Sequence, residues 1–286
     1  MDRRLSYFAG SWYPKSANQC ETQISAFKKN AKLIDDKNIK YQIGVTPHAG
    51  WSFSGQLAND VIYNISMYNK PEVIILIGGH LAPADRFYFM EKCEIETPFG
   101  DFENTDEFDD LLTKNIEYCR ETAEHYEPDN TTELQLPFLK YYFSTKKIII
   151  CRAPANKDAL IFASNLSGLI TQRGVSCALI CSTDLTHYGL RFGFTPAGVG
   201  KQALEWVKTQ NDKSVIDLTL KTAGAKVLES AVNNSSACCA GALAIAAETA
   251  KLLSLKTGRL VDYYTSADIL NKSNPSDFVG YCGVIF

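Results

Sequence analysis

Short runs of β-branched and aromatic residues, each closed by Gly, Pro or a polar cluster, recur along the chain. They predict strands over 41–46, 72–77, 86–90, 147–151, 176–182, 259–265 and 279–285. Between them, apolar residues fall at helical spacing. Leu57, Val61, Ile62 and Ile65 form one stripe, and Ile161, Leu166, Leu169 and Ile170 a second. Val199, Ala203, Trp206 and Val207 form another, and residues 242–255 are rich in Ala and Leu. Strands that alternate with helices predict an α/β fold in three layers, α/β/α, around a mainly parallel sheet. The last two strands can add antiparallel partners. No repeat, low-complexity tract or long linker divides the sequence, so residues 1–286 read as a single domain.

Composition supplies the core this fold needs: 45% of the 286 residues are hydrophobic, including 15 Phe, 14 Tyr and 3 Trp. With 29 basic and 32 acidic residues the net charge is −3, which gives no broad electrostatic footprint for nucleic acid. No apolar run approaches the ~18 residues that a membrane span needs. The first six residues, Met1-Asp2-Arg3-Arg4-Leu5-Ser6, lack the apolar stretch of a secretory signal, so the expected compartment is the cytoplasm. The nine cysteines agree with a reducing compartment. Their number is odd, no CxxC pair exists, and Cys151, Cys177, Cys181 and Cys282 sit inside apolar runs as small hydrophobes would.

Against that background the four histidines stand out. His48 follows the first predicted strand, His80 closes the most apolar one after Gly78-Gly79, and His187 lies just past Cys181-Ser182. In open α/β sheets ligands bind outside the carboxyl ends of the strands, and three of the four histidines fall there. A lone histidine at a strand end is commonly only hydrogen-bonded structure; three at one edge point to a site. His125, among charged residues, reads as solvated. Asp184 precedes His187 by three residues, so one helical turn or a tight loop would put both on one face, where a carboxylate can orient an imidazole for acid/base work. A plain capping role for Asp184 is the alternative. Cys238-Cys239 precedes the Ala-rich helix, whose dipole favours a thiolate able to bind metal or act as nucleophile; the alternative is a pair of small packing residues. Glu133 starts an amphipathic stretch and suits a helix's first turn as well as a site.

At these same positions the chain resembles the Memo family. Ala9-Gly10-Ser11-Trp12-Tyr13-Pro14 is similar to its N-terminal signature, and residues 47–55, Pro-His-Ala-Gly-Trp-Ser-Phe-Ser-Gly, to its PHAGYxYSG motif. Gly78-Gly79-His80, Thr97-Pro98-Phe99-Gly100, residues 182–189 around Asp184 and His187, residues 264–268 and Val279-Gly280-Tyr281 follow in family order. The resemblance implies the fold of class III extradiol dioxygenases, LigB-like enzymes that open catechol rings with non-haem iron. It implies His48, His80 and Cys238 as metal ligands, with Asp184 and His187 beside them in catalytic, acid/base roles. Two departures accompany it: Cys239 stands at the family's usual glycine, and Asn130 replaces the histidine of an acidic-His-Ser-x-Glu motif in residues 129–133.

Two imidazoles and a thiolate suit Fe(II), copper or zinc, and the thiolate makes the set softer than an all-oxygen carboxylate site. Three functions follow. One is a dioxygenase-like oxidoreductase acting on a small phenolic molecule, with Trp12, Trp51, Asn130 and Glu133 as substrate-binding candidates. A second is a non-catalytic protein that binds metal or a phosphotyrosine peptide. The third is a hydrolase built from Cys238, His187 and Asp184. Neither the substrate nor an oligomeric state is legible.

Overall fold

A strand that is apolar on both faces needs cover on both faces, and that requirement organises the molecule. In the computed structural model, which describes residues 2–34, 40–145, 147–255 and 257–286, Lys147–Pro154, Val73–Leu81, Cys177–Ser182 and Ile43–Thr46 lie side by side in that order, all parallel. Met1 of the N-terminal hexapeptide lies outside the described residues. Phe278–Ile285 joins Ile43–Thr46 antiparallel, and Arg259–Thr265 pairs antiparallel with Phe278–Ile285. On the other flank, Phe102–Asn104, Cys93–Ile95 and Arg3–Arg4 extend the sheet beyond Lys147–Pro154. Phe87–Met90 pairs with the second half of Lys147–Pro154 and carries Tyr118–Glu121. The sheet is thus mixed, with a parallel centre.

Alternation along the central strands divides the core in two. Val45, Ile75, Ile77, Ile149 and Leu179 face Phe162, Leu166, Ala242 and Ala246 of the helices Asp158–Arg173 and Ala240–Leu252. Ile74, Leu76, Ile148, Ile150 and Ile180 face Val61, Ile65 and Phe138 of Trp51–Ser66 and Leu136–Tyr142. This is the three-layer α/β/α arrangement that the sequence implies.

Each expected strand exists, and two run further than their apolar pattern. Val73–Leu81 continues through Gly78-Gly79, and Lys147–Pro154 past Cys151, because pairing persists to Leu81 and Pro154 across an irregularity in register. One helical stripe is corrected. Val199 lies outside the helix Lys201–Trp206 and is exposed, and Val207–Asn211 forms a π turn leading into Asp212–Leu220. Among the described residues no helix is long and apolar enough to cross a membrane.

Candidate metal centre

Parallel strands deliver their carboxyl ends to one edge. There the residues after Thr46, the Gly78–His80 turn and the segment after Ser182 meet the start of the helix Ala240–Leu252.

His48 is buried. Its backbone N–H donates to Asp184 Oδ1 (2.8 Å), and ring Nδ1 lies 3.0 Å from Ser182 Oγ, on the strand residue paired with Thr46. A hydrogen bond at Nδ1 fixes the ring and turns Nε2 toward the other donors, as in ligating histidines generally. His80 reaches Nε2 because two glycines precede it. Gly79 has φ +106°, in the left-handed region, and its N–H donates to Thr131 Oγ1 (2.8 Å). A Cβ at Gly78 would lie 2.0 Å from that same Oγ1. The two imidazole Nε2 atoms come to 3.1 Å, their rings nearly perpendicular.

Cys238 approaches from the helix side. Its N–H donates to the Asp184 carbonyl (3.1 Å), and its Sγ accepts the Asp184 N–H (3.3 Å) and stands 3.3 Å from His48 Nε2. The helix start can lie this close because residue 241 is glycine: a Cβ there would meet the Pro154 carbonyl oxygen at 2.2 Å. With Cys239, the ligand atoms of His48, His80 and Cys238 all lie within 4.8 Å of one another. Neighbouring nitrogens of a tetrahedral zinc are about 3.3 Å apart, and nitrogen and sulfur about 3.6 Å. The observed 3.1 and 3.3 Å therefore fit a shared ion, and the donor chemistry fits a soft or borderline metal.

The charges agree. Burial alone would push the Cys238 thiol up, but the Cys239 thiol and the imidazoles of His48 and His187 hold it well below its usual range. Burial alone would lower His48, yet Asp184 and Cys238 raise it to about 9. Both shifts favour a thiolate beside an imidazolium, and a cation can take the proton's place.

Asp184 Oδ2 stands 3.9 Å from Nε2 of both His48 and His187, between the two rings. His187 sits on a short strand, His187–Tyr188, paired with Phe278 and Val279, rather than on a helical turn. Burial disfavours its charge, but Asp184 and Cys238 raise it to about 10, and its Nε2 has no hydrogen-bond partner among the described residues. With Cys238, Leu185, Phe192 and Phe194 it lines a cavity of about 390 Å³.

The remaining candidates are placed differently. Asn130 Nδ2 donates to the His48 carbonyl (3.1 Å), so it braces the metal side of the site. Glu133 turns away from the cavity: Oε1 accepts from the N–H groups of Tyr7 and Phe8 and from Tyr13 Oη, tying down the N-terminal loop. Trp51 lies in the core layer. It is a buried core residue stacked on Phe138 at 4.1 Å, its indole N–H donating to the Leu134 carbonyl. Trp12 is exposed and packs edge-on against Phe8. Ser182, which holds the His48 ring, and Thr131, which holds Gly79 before His80, were not anticipated. Ser182 could have been found from its place in the motif of residues 182–189, whereas nothing local marks Thr131.

A family profile described as Memo-like protein matches residues 4–285. A MEMO1 family protein from Archaeoglobus fulgidus is 28% identical over 281 residues, covering 97% of each chain. Another, from Pyrococcus horikoshii, is 26% identical over 298 residues and 99% of each chain. A third, from Methanosarcina acetivorans, is 25% identical over 289 residues, covering 100% of this chain and 99% of its own. With a profile match that runs from the first strand to the last, this chain belongs to the Memo-like family.

Proposed function

We propose that this chain is a metal-dependent oxidoreductase acting on a small phenolic molecule, with copper the redox metal that its donors suit best. The observation that carries this reading is the meeting of His48 with His80 at 3.1 Å and with Cys238 at 3.3 Å, beside a cavity that also holds His187. A redox metal held by these three side chains supplies electron exchange and Lewis acidity. Thiolate and imidazole favour copper over the harder iron(II).

The chain's own residues do the rest. Ser182 and the Asp184 carboxylate fix the ring and backbone of His48. His187, on the cavity wall, hydrogen-bonds the oxygen of a bound phenol and relays the proton that its hydroxyl gives up. Phe192, 5.0 Å from the His187 ring, and Phe194 give an aromatic substrate two apolar walls, and Leu185 keeps water from the reacting side.

Copper- and iron-loaded protein, offered a panel of catechols, is expected to consume oxygen in a phenol-dependent way, with a loss on the order of 100-fold in His187→Ala. Absence of uptake with every metal would leave a protein that binds metal or a phosphopeptide without turnover. One observation favours a second reading: a cysteine sulfur 3.3 Å from an imidazole nitrogen is also the arrangement of an activated nucleophile. Hydrolase chemistry predicts fast, His187-dependent alkylation of Cys238 by iodoacetamide, together with ester turnover by metal-free protein.

A further inference from the structure

Three ligands leave one nearby sulfur without a task. Cys239 is buried, with its Sγ 3.7 Å from Cys238 Sγ. It occupies the residue before the helix Ala240–Leu252, a position where Ser, Thr, Asp or Asn normally turns its side chain back to cap the first N–H groups. Here the residue makes no side-chain capping bond, and its backbone N–H is held by Thr183 Oγ1 (3.1 Å). The sulfur is turned toward the cluster instead.

We propose that Cys239 is a fourth metal ligand, and that the resting centre is a tetrahedral two-His, two-Cys site for a soft d10 ion, Zn²⁺ or Cu⁺. This inference rests on the three-ligand reading above. In such a tetrahedron two sulfurs stand about 3.8 Å apart, two nitrogens about 3.3 Å and a mixed pair about 3.6 Å. The corresponding separations are 3.7, 3.1 and 3.3 Å, and every remaining edge is within 4.8 Å. Charge points the same way. For Zn²⁺, two thiolates would cancel the charge of the ion at this buried position.

A four-coordinate resting centre has a consequence for the cavity. A substrate oxygen reaches the metal only by expanding the shell to five, a change zinc-type sites accommodate. The second thiolate also raises selectivity for soft ions over iron(II).

Cobalt(II) substitution under reducing, oxygen-free conditions reads the sulfur count directly, because near-ultraviolet thiolate-to-cobalt absorption grows with each thiolate. The wild-type protein is expected to show a two-thiolate intensity with strong tetrahedral visible bands. Cys239→Ala should retain cobalt binding with about half the charge-transfer intensity. Equal intensity in the two proteins would overturn the inference while leaving the three-ligand site standing; failure of wild-type protein to bind cobalt at all would overturn both. X-ray absorption of the zinc-loaded wild-type protein gives an answer independent of the variant's folding. Two sulfur neighbours are expected, and a single one would refute the fourth ligand.

Discussion

At the scale of single residues, Asp212 illustrates how the site is supported from below. It is buried at the start of the helix Asp212–Leu220. Its carboxylate accepts the N–H and hydroxyl of Thr186, between Asp184 and His187, and the Tyr263 hydroxyl (2.8 Å). Burial raises its carboxyl to about 6, against the opposing bonds from Thr186 and Tyr263. A carboxyl in an unfolded chain titrates near 4. Between about pH 4 and pH 6 the folded protein therefore binds more protons than the unfolded chain, and this group's contribution makes stability fall as pH rises through that window. The drop is on the order of 3 kcal/mol. Urea unfolding across the window should show Asp212→Asn with that component removed; a slope identical to wild type would refute the assignment. Nothing local in the sequence marks Asp212, since its partners lie 26 and 51 residues away. The clustering of His48 and His80 was legible for the opposite reason: each sits just beyond an apolar run, where topology alone places candidate site residues. For Trp51 and Glu133 residue type alone does not say which way a helix turns them: Trp51 stacks on Phe138, and Glu133 holds the N–H groups of Tyr7 and Phe8.

At the scale of elements, long apolar strands were readable and short ones were not. Val73–Leu81 and Cys177–Ser182 carry enough β-branched side chains to declare themselves, whereas Arg3–Arg4, Phe102–Asn104 and Tyr118–Glu121 exist because a neighbour is there to pair with. The Gly78-Gly79 extension was likewise invisible to pattern, although it positions His80. A methyl group at Gly78 would collide with Thr131 and push the turn apart. Gly78→Ala should therefore cost about 3 kcal/mol and weaken metal binding through His80. Gly168, inside the helix Asp158–Arg173 with no neighbour closer than 3.8 Å, is the control: Gly168→Ala should gain up to about 1 kcal/mol. Equal effects of the two substitutions on denaturant midpoints would contradict this account of the turn.

At the scale of the molecule, the fold acts as a device for bringing distant segments together. His48 and Cys238 are separated by 190 positions in the chain and His48 and His80 by 32, yet their donor atoms touch because parallel strands end in register and a helix begins over the same edge. Strand order and crossover, which make that meeting, are long-range properties; the sequence pattern supplied the strands and the resemblance supplied the expectation that they converge. The most direct test is metal content. Protein purified anaerobically without chelator is expected to carry, or to take up from copper or zinc at micromolar concentration, one equivalent of metal that is lost in His48→Ala and in Cys238→Ser while the fold is retained by circular dichroism. Wild-type protein that takes up no metal, or folded variants that take up as much as wild type, would contradict the account at its centre.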